Sequence, residues 1–132
     1  MFRLDQKIAV ITGGGSGIGR AIALLFAKQG AIVHIIELTN EQANATVDEI
    51  IQDGGVAHAY ACDVSSNAAV MNTFNQIGAI DILVNNAGIA HIGKADTTAE
   101  ADFDKIMQVN VKGVYNCISA AIPQMRKQGG GN

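Results

Sequence analysis

Five of the eight residues from Thr12 to Gly19, TGGGSGIG, are glycine, and they sit where one kind of periodicity gives way to another. Before them runs KIAVIT (Lys7 to Thr12), short, apolar and β-branched, which suits a strand buried on both faces of a parallel sheet. After them Ile18, Ile22, Leu25 and Phe26 recur at helical spacing, and Gly30 is placed to end the helix. Glycines at a strand-to-helix junction have defined uses. Gly13 is placed for the tight turn, Gly17 leaves the backbone bare for an approaching phosphate, and Gly19 lets the helix pack closely. The helix then presents free N–H groups to an anion. A P-loop is excluded, because it needs Gly-Lys followed by Ser or Thr, and no lysine lies between Lys7 and Lys28.

The alternation continues along the chain. AIVHIIE (Ala31 to Glu37) reads as a second strand, followed by a helix whose start is marked by Thr39 and Gln42 in capping-box spacing. Its expected buried stripe is Ala43, Val47, Ile50 and Ile51, and Gly54 with Gly55 closes it. AHAYAC (Ala57 to Cys62) is a weaker third strand, with a helix through Val70, Phe74 and Ile77 after it. IDILVN (Ile80 to Asn85) is the most hydrophobic strand and is expected to be central. Beyond a polar loop, His91 to Thr98, a long helical segment of about Ala99 to Arg126 carries Phe103, Ile106, Val114, Ile118 and Ile122, with Gly113 and Pro123 as the points of expected bending or breakage. Strands alternating with helices predict a parallel, doubly wound α/β sheet, since each crossover returns right-handed over one face.

Composition narrows the function. A chain of 132 residues fits one domain with a real core. The formal net charge of −3 argues against a surface built for nucleic acid. Cys62 and Cys117 form no CxxC pair and no histidine cluster accompanies them, so neither a metal site nor a disulfide framework is expected, and a reducing cytoplasm fits best. No apolar stretch approaches the roughly 18 residues of a membrane span.

Glu37 ends the second strand 18 positions after Gly19, close to the ~20-residue spacing of a carboxylate that binds an adenosine ribose. A carboxylate there favours two hydroxyls and repels a 2′-phosphate. Neither Ser16 nor Leu38 supplies the basic group that NADP needs, so NAD is the expected cofactor and NADP the lesser candidate. The alternative is an ordinary solvated acid at a strand end.

With these elements in place, the chain resembles the short-chain dehydrogenase/reductase family over essentially its whole length. TGGGSGIG matches that family's TGxxxGxG, CDVS (Cys62 to Ser65) its Asp-Val after the third strand, NNAG (Asn85 to Gly88) the motif after the fourth, and VNVKG (Val109 to Gly113) the long helix. The resemblance implies a three-layer αβα Rossmann-like sheet of strand order 3-2-1-4. It also implies a cofactor site of Gly13, Gly15, Ser16, Gly17, Ile18, Gly19, Glu37, Leu38, Asp63, Val64, Asn86, Ala87 and Gly88. Asp63 and Val64 resemble the adenine-contacting pair, although Asp63 reads equally as a helix N-cap. Asn86, Ala87 and Gly88 look like the turn beneath the cofactor, with the Asn amide tying neighbouring strands. Asn110 matches the helix Asn that in the family takes a catalytic part, its backbone carbonyl holding a water of the proton relay.

The resemblance further implies hydride transfer between the dinucleotide and a small alcohol or ketone, in a homo-oligomer. That chemistry uses a Tyr with a Lys four residues later and a Ser. Here Tyr60 is followed at that spacing by Val64 and Tyr115 by Ser119. A phenol of pKa near ~10 without such help is a poor base at neutral pH. The chain is therefore expected to be the cofactor-binding half of such an enzyme, truncated after the fourth strand and its helix, or else a non-catalytic binding or assembly module. In either case the chain is expected to leave an unpaired edge on the fourth strand and an uncovered apolar helix face, and to associate through that strand and the helix of about Ala99 to Arg126.

Overall fold

Each β-branched run forms a strand of one parallel sheet in the computed structural model, which describes residues 2–132. Strands β1 (Ile8–Thr12), β2 (Ile32–Glu37), β3 (Val56–Ala61) and β4 (Ile82–Val84) lie in the order β3-β2-β1-β4. The pairing is parallel throughout, from Ile8↔Ile32 to Thr12↔Ile36, from Ile32↔Val56 to Glu37↔Ala61, and over Ala9↔Ile82 to Ile11↔Val84. Helices α1 (Gly17–Lys28) and α2 (Asn40–Gln52) cover one face; α3 (Asn67–Ile77) and α5 (Gly113–Lys127) cover the other. The expected three-layer fold and strand order are those observed.

Alternate strand residues feed two cores, as the period of two requires. Ile11, Val33 and Ile35 meet Ala23, Ala43, Val47 and Ile50 on one face, while Val10 and Ile36 meet Val70, Phe74, Ile80 and Cys117 on the other. The first two crossovers back into the sheet use the same stop signal. Gly30 and Gly54 take φ of +97° and +88°, and the amides beyond them reach back to the last helical carbonyls. Ala31 N–H donates to Phe26 and Gly55 N–H to Ile50, at 3.1 and 2.9 Å. Helix α2 opens with the expected capping box between Thr39 and Gln42.

Three helix faces differ from their expected registers. Ile18 and Leu25 are exposed, and the wholly buried positions of α1 are Gly19 and Ala23. Ile51 of α2 is likewise exposed and Thr46 joins the buried stripe instead. The last segment is an almost unbroken helical run: α4 (Glu100–Met107), a π-helical segment (Gln108–Lys112) and α5, which stays helical through Pro123. Its buried positions are Gly113, Asn116, Cys117, Ala120 and Ala121; Phe103, Ile118 and Ile122 are exposed. In α1 and α5 small residues occupy the closest approach to the neighbours, so part of the large-residue pattern turns outward, while Ile22 and Phe26 of α1 and Ala43, Val47 and Ile50 of α2 pack into the core as expected. Gly113 marks a contact, not a break: a Cβ there would lie 2.8 Å from Val64 Cγ2.

β4 is shorter than expected and sits at the end of the strand order, not in the middle. Its outer edge is not wholly unpaired, because Asn132 N–H donates to the Asp81 carbonyl at 2.8 Å and Leu83 N–H to that of Asn132 at 2.7 Å.

A titratable side chain is buried in the sheet itself. His34 on β2 is paired in register with His58 on β3, their rings stacked at 5.0 Å, and its Nδ1 lies 3.0 Å from the Tyr60 hydroxyl. Burial first, and the neighbouring His58 second, push the His34 pKa down from 6.5 to about 4. The folded chain therefore holds fewer protons than the unfolded one between those values, so this contribution is complete above pH 6.5 and is lost as pH falls toward 4. The urea midpoint is expected to drop across that window, and His34→Gln to flatten the drop. An equally steep fall in the variant would rule His34 out as its source.

Candidate functional site

The carboxyl ends of β1, β2, β3 and β4 open onto one crevice, the place where ligands bind in open α/β sheets. Thr12, the last residue of β1, is buried, and its Oγ1 accepts two backbone N–H groups of the turn after β4, Asn86 at 3.0 Å and Ala87 at 2.9 Å. Asn86 answers by donating its amide Nδ2 to the Gly13 carbonyl at 3.2 Å. The Asn amide thus ties the two neighbouring strand ends together as expected.

Within the glycine loop, Gly13 turns the chain at φ +68°, and a Cβ on it would lie 2.9 Å from Asn86 Nδ2. A Cβ on Gly19 would overlap the Gly13 carbonyl oxygen, so the first turn of α1 rests directly on the loop. Gly17 differs from both. It takes φ +54°, and nothing lies within 4 Å of where its Cβ would be. Ser16, the N-cap of α1, makes no side-chain capping bond. The first-turn amides are therefore left for water or an anion.

Around this loop lies a crevice of about 530 Å³, within the range of small-molecule sites. Gly13, Ser16, Glu37, Leu38, Asp63, Val64, Asn86, Ala87 and Gly88 line it. Of the other expected residues, Gly15, Gly17, Ile18 and Gly19 shape the loop and first turn without forming its wall. Glu37 accepts the Gly15 N–H through Oε2 at 2.8 Å. Of the two readings of Asp63, the N-cap is excluded: Ser66 caps α3 by accepting the Ala69 N–H, while Asp63 Oδ1 accepts the N–H and the hydroxyl of Ser65 at 3.0 and 2.6 Å. Asp63 is exposed at the crevice and Val64 is buried beside it.

Asn110 stands behind the wall, in the π-helical segment. Its side chain clamps the backbone of Ile89 from both sides, accepting the N–H and donating to the carbonyl, each at 2.8 Å. The amide is thus committed to the loop after β4, and only the main chain of Asn110 is left for any further role. A π-bulge inserts one residue into a helix and is frequent at functional sites.

Neither tyrosine lies on the crevice wall. Tyr60 faces His34, with burial pushing its pKa up, and Tyr115 is exposed on α5. Cys62 does line the crevice, but burial raises its thiol pKa, which makes it wall and not nucleophile. Among the described residues no three His, Cys, Asp or Glu side chains are grouped to hold a metal, and no helix is long and apolar enough to cross a membrane.

Two supporting residues were not singled out by the sequence reading. Thr12 opens the TGGGSGIG motif, but its role shows no sequence signal, because its partners are some 70 positions away. Asn116 had one: it shares the helical spacing of Gly113, Cys117 and Ala120. Wholly buried, it donates to the Val64 carbonyl at 2.9 Å and accepts from Asn67 at 3.1 Å, holding the Asp63–Val64 segment in place.

Fold and site together define a dinucleotide-type α/β crevice, and residues 7–132 match the family described as short chain dehydrogenase. The chain belongs to that family. It is 46% identical over 127 residues to an uncharacterised oxidoreductase of Thermotoga maritima, covering 95% of this chain and 51% of that one. The 7alpha-hydroxysteroid dehydrogenase of Escherichia coli K12 is 41% identical, with 98% and 52% covered. A structure of 7alpha-hydroxysteroid dehydrogenase with NADH superposes at TM-score 0.91, with 40% identity and 99% of this chain and 55% of that one covered. A metagenomic short-chain oxidoreductase with NADP superposes at 0.92, with 34% identity and 96% and 60% covered. The chain spans about half the length of the curated relatives it matches.

The Thr12 hydroxyl is the joint on which the crevice hangs. Thr12→Val keeps the shape but strips two turn amides of their acceptor, and is expected to lower unfolding stability by about 2 kcal/mol in urea titration, with Thr12→Ser close to the parent. An unchanged midpoint in the valine variant would contradict this role.

Proposed function

We propose that the crevice holds NAD, in preference to NADP, for hydride transfer to or from a small alcohol or ketone. The observation that carries this reading is Glu37: a carboxylate on the crevice wall with one oxygen held by the Gly15 N–H, beside Ser16 and Leu38, which bring no positive charge. Such a group accepts from two ribose hydroxyls and repels a phosphate in their place. Relatives crystallised with NADH and with NADP share the fold, so the preference is argued from these residues and not from kinship.

The rest of the site fits the same ligand. The uncapped first turn of α1 and the bare backbone at Gly17 would take the pyrophosphate, with Gly13, Ile18 and Gly19 setting the close approach. Asp63 and Val64 would receive the adenine, and Asn86, Ala87 and Gly88 would form the floor beneath the far end. When bound, the nicotinamide supplies the hydride chemistry. Asn110 keeps the floor's continuation at Ile89 fixed and offers its main chain to a proton-relay water.

Within these 132 residues no tyrosine has a lysine at the fourth following position, and neither tyrosine lines the crevice. We assign these residues the cofactor site, not the proton-transfer pair. Calorimetric titration is expected to show NAD binding more tightly than NADP, with no alcohol oxidation by the same sample. Glu37→Ala should cost about tenfold in NAD affinity and bring the two cofactors close to parity. An unchanged preference would sink the NAD reading, and turnover would mean a proton donor elsewhere in the chain.

We also propose a homo-oligomer in the cytoplasm. Its support is the outer face of α4 and α5, where Phe103, Met107, Val111, Tyr115, Ile118 and Ile122 form one exposed apolar stripe at helical spacing. This stripe is also what favours the alternative of an assembly module. The two free cysteines suit a reducing compartment. Sedimentation should show association that weakens in Tyr115→Glu with Ile118→Glu, and a parent that stays monomeric at all concentrations would refute it.

A further inference from the structure

Gly15 is not a glycine of conformation. Gly13 and Gly17 take positive φ and need glycine for that reason, whereas Gly15 does not. What it lacks is space. A Cβ on Gly15 would overlap the Gln42 carbonyl oxygen and lie 2.8 Å from both the Gln42 carbonyl carbon and Glu37 Oε2. Two of those three atoms are backbone of the first turn of α2. That turn is locked by its reciprocal cap, in which Thr39 N–H donates to Gln42 Oε1 at 3.2 Å and Gln42 N–H to Thr39 Oγ1 at 3.4 Å. Backbone so held does not yield cheaply, and moving the Glu37 carboxylate alone would leave the overlap with the Gln42 carbonyl, so a methyl group at position 15 forces the loop and the start of α2 apart and breaks the contact between the Gly15 N–H and Glu37.

We propose that Gly15 is a specificity-determining position of this crevice, acting through Glu37. By carrying no side chain it lets the glycine loop close against α2, and its N–H fixes Glu37 Oε2 at 2.8 Å, leaving Oε1 to receive the ribose hydroxyls. Thr39 and Gln42 are positioning residues for the same carboxylate, since their cap sets the wall against which Gly15 rests. The preference for a free 2′-hydroxyl therefore resides in a three-part contact of loop, strand end and helix start, of which Glu37 is only the charged member. This inference rests on the NAD reading above.

The test is a double-mutant cycle read by calorimetry with NAD and with NADP, using Gly15→Ala, Glu37→Ala and the pair, each checked for an intact thermal transition. Gly15→Ala is expected to cost about tenfold in NAD affinity, a loss that shrinks below about twofold when Glu37 is already Ala, and to leave NADP affinity unchanged. A Gly15→Ala variant with the parent's NAD to NADP ratio, or the same loss with and without Glu37, overturns the proposal while the NAD reading stands. If Glu37→Ala alone keeps the parent's preference, the NAD reading falls and this proposal with it. Should Gly15→Ala not fold, Thr39→Ala, at an exposed position, loosens the same turn: a severalfold NAD loss that vanishes in the Glu37→Ala background supports the coupling, and one that persists there overturns it.

Discussion

Everything at the crevice depends on how closely three backbones approach around Gly13. The loop carbonyl of Gly13 lies where a side chain on Gly19 would have to be, and the Asn86 amide closes on the same carbonyl from the β4 side. A Cβ on Gly19 would push the start of α1 away from the strand that leads into it, and one on Gly13 would press on the turn after β4. Because that helix start carries the unpaired amides, its distance from the sheet decides whether an anion can be held against main chain or only against side chains. The Thr12 hydroxyl extends the constraint to β4 by accepting both amides of the following turn. One buried oxygen and two bare Cα atoms thus join strands far apart in sequence into a single rim.

How much of this is readable without coordinates follows from the range of each interaction. The alternation of elements, the capping box at Thr39 and the stop glycines at Gly30 and Gly54 are local, so their spacing alone identifies them, whereas the strand order is legible only through the family resemblance. Glu37 is legible because its distance from the glycine loop is set by one helix and one strand. Thr12 and Gly15 are legible only as members of the glycine motif, since the contacts that matter about them are reached only after folding. Asp63 is ambiguous in sequence because an adenine contact and an N-cap can use the same residue type, and the cap falls to Ser66 only when the helix start is seen.

The helix registers fail for a different reason. Periodicity is scored on large apolar residues, yet α1 and α5 approach their neighbours so closely that the buried positions are Gly19 and Ala23 in one and Gly113, Cys117, Ala120 and Ala121 in the other. Ile22 and Phe26 of α1 still pack against the core, whereas Ile18, Leu25, Ile118 and Ile122 lie on the outer face. On α4 and α5 the outward residues form an exposed apolar stripe.

That stripe and the crevice share one element. On its inner side α5 brings Gly113 against Val64 and buries Asn116, whose amide holds the Val64 carbonyl and so fixes the segment that presents Asp63. On its outer side the same helix exposes Tyr115, Ile118 and Ile122. A bulky residue at 113 or 117 would lift the helix from the sheet and spoil the crevice wall, whereas bulk at 115, 118 or 122 leaves the wall untouched. Small residues inside and large ones outside are therefore the arrangement that lets a single helix seat the cofactor end of the molecule and still offer an apolar surface to a neighbour.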